Sequence, residues 1–265
     1  MKHLCILFAV FLLFACQKET LLEDQELTRR FTIASAETKR SYDISVQLPE
    51  NDHKSTHRYS TLYVLDANQD ERFVAKTCKT VSKNLNTPNV IVIGIRYQQY
   101  SDRDIDYTPT ATTYGQGKSA EFLTFIKNKL IPRIQAEYRA DTLRDKRVLI
   151  GHSFGGLCGA FAFTNYNEVF GNYLLLSPSL FYDNSVLLTY EQQARPALQA
   201  KPHLVFIGLG STEGSLLPAN DVLYRRLVKF YPNTKSKFQL VPGRGHVTSK
   251  NSSIENAIHF YFKNR

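Results

Sequence analysis

An α/β fold, built on a mostly parallel sheet of about eight strands with helices on both faces, is what the sequence predicts. Three observations carry that prediction. After an antiparallel start, strand-like and helix-like segments alternate along the chain, the pattern of a doubly covered parallel sheet. Residues 90–95 and 173–176 are unbroken apolar runs, as in strands buried on both faces. Residues 147–150 run straight into Gly151-His152-Ser153-Phe154-Gly155-Gly156, a sharp strand-to-helix connection followed by small residues.

Taken in order, residues 31–36 and 42–48 are β-rich and are split by Glu37-Thr38-Lys39-Arg40, which predicts an opening antiparallel pair. Pro49-Glu50-Asn51-Asp52 ends it. Residues 60–66 read as a strand, 72–85 as a helix and 90–95 as a buried strand. Residues 96–117 then form one long polar and aromatic loop, which in a compact domain is more often functional than idle. Residues 119–138 follow as an amphipathic helix, with Phe122, Phe125, Ile126 and Leu130 at helical spacing and Pro132 interrupting it. Beyond the elbow helix come strands at 173–176 and 204–208, a helix at 220–231, a last strand at 237–241 and a closing helix at 252–262.

The chain opens with Met1-Lys2-His3 and an uncharged run over 4–15, too short for a membrane span of about 20 residues. It reads as a signal peptide over 1–16. Its last four residues, Leu13-Phe14-Ala15-Cys16, resemble the lipobox of bacterial lipoproteins, with Phe14 bulkier than the usual occupant. That resemblance implies lipidation of Cys16, export, and anchoring to a membrane of the bacterial envelope. The polar residues 17–30 are expected to be a tether, and 31–265 a single domain. Of the four cysteines, Cys78 and Cys158 lie beyond the signal segment, too few for a disulfide framework, and both read as buried core residues.

Removing residues 1–16 takes one positive charge, Lys2, from the whole-chain value of +9 and leaves +8. That sign favours anionic ligands and surfaces. The basic residues are scattered, without a Lys/Arg run or an aromatic-basic motif, so no nucleic-acid partner is expected. Metal-ligand spacing, phosphate-binding loops and Gly-x-Gly-x-x-Gly are absent from the sequence, and neither a metal nor an organic cofactor is expected.

The elbow is the most informative motif. A serine at so tight a turn adopts strained backbone angles, and glycines two residues either side relieve the crowding. The backbone N–H of Phe154, at the start of the following helix, is placed to donate to a developing oxyanion. A serine hydroxyl at neutral pH needs a base to take its proton. His246, in the loop Pro242-Gly243-Arg244-Gly245-His246 between the last strand and the last helix, is the candidate. His152, inside the elbow, is expected to point elsewhere. In the order Ser, acid, His, the carboxylate follows the penultimate strand. Glu213 is the first carboxylate there and Asp221 the second; a pair without an acid is the third arrangement.

These residues resemble the α/β-hydrolase superfamily, and within it the esterase family that includes esterase D, the ferric-enterobactin and bacillibactin esterases, and the feruloyl and acetyl-xylan esterases. The resemblance runs from about residue 31 to the C-terminus. It is carried by the elbow, the turn Leu65-Asp66-Ala67-Asn68, the block Asp106-Tyr107-Thr108-Pro109-Thr110, the helix from Glu121 to Tyr138, and Ser177-Pro178-Ser179-Leu180. It implies an α/β-hydrolase fold and hydrolysis of carboxylic esters by Ser153 with His246 as base. It also implies a second oxyanion donor from the backbone of Ala67, where the ferri-siderophore branch usually has glycine; Asn68 is the neighbour that could share that role. Phe181 fills a place where the branch usually carries an aromatic residue. Arg96, Arg103 and Tyr107, with Tyr97, Tyr100 and Tyr114, make the long loop rich in cations and phenols, suited to an anionic aromatic ester such as a ferric catecholate trilactone. Feruloylated or acetylated polysaccharide is the alternative substrate. A lipid-anchored binding protein on the same fold is the alternative without catalysis.

Overall fold

Among the described residues the sheet begins with the expected antiparallel pair, β1 (Thr28–Ser35) and β2 (Arg40–Gln47), and the chain continues through β3 (Thr61–Val64), α1 (Ala67–Asn84) and β4 (Ile91–Arg96). The next loop contains a short helix, α2 (Asp102–Asp106), and a small hairpin of β5 (Ala111–Thr112) and β6 (Gly115–Gln116). Helix α3 (Ser119–Phe125) passes through a π-helical stretch, Ile126–Leu130, into α4 (Ile131–Glu137). Strict alternation follows: β7 (Arg147–His152), α5 (Phe154–Asn165), β8 (Asn172–Leu176), α6 (Tyr182–Gln199), β9 (His203–Gly210), α7 (Leu217–Phe230), β10 (Thr234–Val241) and α8 (Lys250–Asn264). These elements come from a computed structural model that describes residues 27–50, 56–99 and 101–265. The signal segment, Cys16, most of the tether and Tyr100 lie outside the described residues.

Eight strands form one sheet in the order β1-β2-β4-β3-β7-β8-β9-β10, with β2 antiparallel to both its neighbours and every pair from β4 to β10 parallel. Successive residues of the central strands point to opposite faces, and both faces are covered. Val148, Ile150, Leu174 and Leu176 pack under α1 and α8 with Val74, Cys78, Ile254 and Ile258. Leu149, Tyr173 and Leu175 face the other layer with Phe122, Leu157 and Cys158. Double burial is why these strands read as continuous apolar runs rather than alternating ones. Cys78 and Cys158 are buried free thiols on opposite sides of the sheet.

Four features depart from the sequence expectation. Strand β1 begins at Thr28, so the last residues of the expected tether belong to the domain. Helix α1 begins at Ala67 rather than Arg72, because Asp66 turns the chain in the left-handed conformation (φ 57°, ψ 36°) directly after β3. Pro132 does not break its helix. The turn ahead of it widens instead, with the Ile131 N–H bonding the Ile126 carbonyl five residues back, which accommodates a ring that has no N–H of its own. Helix α6 was not anticipated: its sequence is largely polar, contains Pro196, and begins with Asp183, Asn184 and Ser185 in left-handed conformations. Among the described residues, no helix is long and apolar enough to cross a membrane.

Candidate active site

Ser153 stands between β7 and α5 with φ 60° and ψ −118°, a conformation that L-residues rarely adopt. The turn is held from β8 and from its own helix: the Ser153 N–H bonds the Leu176 carbonyl at 2.9 Å, and the Ser153 carbonyl accepts from Leu157 at 2.9 Å and from Ser179 at 3.3 Å. Two glycines are required by space. A Cβ on Gly151 would lie 2.5 Å from the backbone of Gly155, and one on Gly156 would lie 2.9 Å from Cα of Pro178. Gly155 itself is less constrained, its added Cβ meeting nothing nearer than the Asp66 carboxylate at 3.3 Å. The crowding predicted at the elbow is therefore borne by Gly151 and by the unanticipated Gly156.

Beyond the ends of β9 and β10, the other two predicted side chains converge on the serine. Nε2 of His246 accepts from the Ser153 hydroxyl at 3.0 Å, and its Nδ1–H donates to Oε2 of Glu213 at 2.8 Å. Asp221 is not part of this chain of contacts; it lies on α7 and pairs with Arg225 one turn later. Glu213 is buried, and its second oxygen, Oε1, accepts from the Gly210 amide, the Ser177 hydroxyl at 2.8 Å and the Ser249 hydroxyl at 3.1 Å. Burial alone would raise its pKa. The hydrogen bonds from His246, the Gly210 amide and Ser177 outweigh that effect and hold the carboxyl below the usual carboxylate range. An ionised carboxylate on Nδ1 fixes the tautomer that leaves Nε2 free to take the hydroxyl proton, and it stabilises the imidazolium that results.

The turn after β3 is the third wall. Ala67 and Phe154 are the first residues of α1 and α5, and α-helical geometry leaves amides in that position without an intrahelical acceptor. Two helix N-termini are thus available to a developing oxyanion. The Asn68 side chain is held away from the site, its amide donating to the Tyr97 carbonyl at 3.1 Å and accepting the Tyr97 N–H at 3.0 Å, which leaves its backbone N–H as the group that could share the role.

The loop cations and phenol expected to face a ligand are built into the protein instead. Arg103 is buried and makes a bidentate pair with Asp66, Nε to Oδ1 and Nη2 to Oδ2, both at 2.8 Å. Tyr107 is wholly buried, and its hydroxyl accepts the Asp66 N–H at 3.1 Å. Arg96 is paired with Glu71 on α1. Arg103 and Tyr107 therefore brace the left-handed Asp66 turn that presents Ala67. Arg103 also reaches the elbow itself, with Nη2 3.5 Å from the His152 carbonyl and the guanidinium 5.8 Å from the centre of the Phe154 ring. Arg103→Ala is expected to destabilise the domain by about 3–5 kcal/mol, because it leaves the Asp66 carboxylate buried without its partner. Urea unfolding measures this through a lowered midpoint at an unchanged slope.

Sequence reasoning missed four polar groups here. His152, whose ring was expected to turn away, donates Nε2–H to the His246 carbonyl at 2.9 Å and packs against the His246 ring. Ser177 and Ser249 hold Glu213, and the Ser179 hydroxyl lies 3.5 Å from that of Ser153. Only the Ser-Pro-Ser block gave a signal in the sequence. Among the described residues, no group of three His, Cys, Asp or Glu side chains is placed to hold a metal ion.

Two histidines, His203 buried and His152 half-buried, give the domain an acid sensitivity. Burial, reinforced by His246, pulls the pKa of His152 down to about 4; burial and Arg144 pull that of His203 down to about 3. His203 accepts from Arg144 on Nδ1 and donates Nε2–H to the Leu198 carbonyl, contacts only the neutral ring can make together. The unfolded chain binds these protons near pH 6.5 and the folded chain does not, so stability falls as pH drops below 6.5. By pH 5 the loss is about 2 kcal/mol per ring. Asp106 works in the opposite direction, since burial pushes its pKa up to about 6 and its protonation returns about 1 kcal/mol by pH 5. Urea midpoints measured between pH 7 and pH 5 are expected to fall, and less steeply in His203→Gln.

A mostly parallel sheet with a serine elbow, an imidazole and a buried carboxylate gathered beyond its strand ends is the architecture of an α/β-hydrolase. The comparisons agree. The model of the family described as "Putative esterase" matches residues 35–239, and the chain belongs to that family. It is 24% identical over 254 residues to the ferri-bacillibactin esterase BesA of Bacillus subtilis, covering 86% of this chain and 87% of that protein. It is 27% identical over 197 residues to the apo-salmochelin esterase of Escherichia coli, covering 68% of this chain and 60% of that one. The crystal structure of the BES protein from Bacillus cereus shares the fold with a TM-score of 0.80 at 24% identity, over 88% of this chain and 94% of that one. The protein is a serine esterase.

Proposed function

We propose that this esterase opens the lactone esters of a siderophore, with Ser153, His246 and Glu213 acting as one catalytic unit. The observation that carries the reading is the unbroken line of hydrogen bonds from the Glu213 carboxylate through His246 to the Ser153 hydroxyl. The siderophore assignment rests on BesA and the salmochelin esterase.

The chemistry is a two-step acyl transfer. Ser153 Oγ attacks the ester carbonyl while His246 Nε2 takes its proton, and the carbonyl oxygen becomes an oxyanion facing the amides of Phe154 and Ala67. Collapse of this intermediate breaks the bond to the alcohol oxygen, which leaves with the proton held on His246. Water then repeats the sequence on the acyl-enzyme, releasing the acid and restoring the serine. Glu213 stays ionised throughout, and in each half-reaction the imidazolium lasts only from the first proton transfer to the second.

Product analysis tests the substrate assignment directly. Incubated with a ferric catecholate trilactone and, separately, with feruloylated or acetylated xylan fragments, the protein is expected to release linear catecholate ester from the first. Hydrolysis of the xylan fragments alone would reject the siderophore reading and favour the carbohydrate one. The lipobox-like segment supports a further part of the proposal, that Cys16 is lipidated and tethers the esterase to an envelope membrane. Labelled palmitate is expected on the wild-type chain and not on Cys16→Ala.

A further inference from the structure

The loop between β10 and α8 carries His246 on a poorly buried path. Pro242, Gly243, Arg244, Val247 and Thr248 are exposed, and Gly243 sits at φ 66°. An imidazole on such a loop is useful only if its peptide is fixed, because Nε2 must keep a 3.0 Å contact with the Ser153 hydroxyl. The loop's earlier residues are tied to the turn after β9: the Arg244 carbonyl accepts from the Thr212 amide and hydroxyl, and the Gly243 N–H bonds Oγ of Ser211. The peptide oxygen of His246 itself is held by a different element. It accepts Nε2–H of His152 at 2.9 Å, with the Ser249 hydroxyl more distant at 3.4 Å. The two imidazoles also pack together, their centroids 4.6 Å apart and their planes inclined by 38°.

We propose that His152 is a positioning residue for the base, fixing the peptide and ring of His246 in register with the Ser153 hydroxyl. The inference rests on the roles given above to Ser153 and His246. Its force comes from chain connectivity: His152 directly precedes Ser153, so one hydrogen bond ties the backbone of the base to the residue beside the nucleophile, across 94 residues of sequence. Neither the Glu213 contact nor the glycine-rich loop does this. Glu213 orients the ring about its Nδ1–H axis, whereas His152 fixes where the ring is hung.

Three side chains at position 152 separate this role from packing. His152→Phe keeps a ring against His246 and loses the donor; His152→Gln keeps an N–H able to reach the same carbonyl and loses the ring. On a p-nitrophenyl ester, the full-length His152→Phe protein is expected to lose about 30-fold in kcat with KM within about twofold. Labelling of Ser153 by a fluorophosphonate is expected to slow by a similar factor, as small misplacements of a reacting group do. His152→Gln is expected within about threefold of wild type. In a His246→Ala background, His152→Phe is expected to cost nothing further, since the restraint has no base left to hold. Should the phenylalanine variant fail to fold, His152→Asn, whose shorter amide falls short of the carbonyl, takes its place with the same expectation. Full kcat in the donor-less variant, a glutamine variant as slow as the phenylalanine one, or an undiminished loss in the His246→Ala background would each overturn the proposal. A fully active His152→Phe beside an inert Ser153→Ala removes only this restraint, whereas an active Ser153→Ala removes the esterase mechanism on which it rests.

Discussion

Ser153→Ala is expected to lower kcat/KM for an activated ester by about four to six orders of magnitude, to the level that oxyanion donors and binding sustain alone. The substitution removes one oxygen from a partly exposed turn and leaves its supports in place: the bonds to Leu176, Leu157 and Ser179 are all made by the backbone of residue 153. Unfolding curves should therefore lie close to those of wild type, since the contact given up, from the Ser153 hydroxyl to Nε2 of the part-exposed His246, is one that water can replace. His246→Ala is expected to cost about as much, and the double variant scarcely more, because the nucleophile and its base act in a single step. Covalent labelling by a fluorophosphonate gives an independent check, expected on wild type and absent from Ser153→Ala. Turnover by Ser153→Ala at the wild-type rate would exclude the acyl-serine mechanism.

Glu213→Gln is expected to reduce kcat by about three to four orders of magnitude with little change in KM, while Asp221→Asn leaves both parameters within about twofold. The contrast follows from geometry. Glu213 places one oxygen 2.8 Å from Nδ1 of His246 and fills the other with three donors, whereas Asp221 is engaged with Arg225 on the surface of α7. An amide at position 213 must turn either its oxygen or its nitrogen toward three groups that all donate, and it cannot supply the negative charge that stabilises an imidazolium. If its NH2 faces His246, it stabilises the wrong tautomer and puts the proton on Nε2, where the serine needs a lone pair. Comparable rates for Glu213→Gln and wild type would mean that Ser153 and His246 work as a pair without an acid.

Strands β4, β7, β8 and β9 were legible because burial on both faces writes continuous apolar runs into them, a signal that survives without tertiary context. Helix α6 was not legible. Its polar stretch around Glu191 is apolar in effect only because Arg195, Arg226 and Tyr231 satisfy that buried carboxylate from its own helix, α7 and the residue after it. The same limit governed the site. Ser153 and His246 stand in short glycine-bearing motifs whose chemistry is local, so both could be found by inspection. The choice between Glu213 and Asp221 depends on how the turn after β9 folds, which no local pattern states. Arg96, Arg103 and Tyr107 were misread for a related reason: a sequence displays a charge and hides its partner. Their partners, Glu71 and Asp66, lie 25, 37 and 41 residues away and come into contact only once α1 is docked on the sheet.

The antiparallel strand at the start of the chain has a geometric consequence. Because β2 reverses direction twice over, against β1 and against β4, the first strand runs the same way as the parallel ones, and its first residue shares a row with Gln47, Val92, Leu62 and Val148. That row crosses the sheet five residues before Ser153, about 17 Å of extended chain below the reactive hydroxyl. A leash attached through Cys16 would thus grip the domain by its blind side.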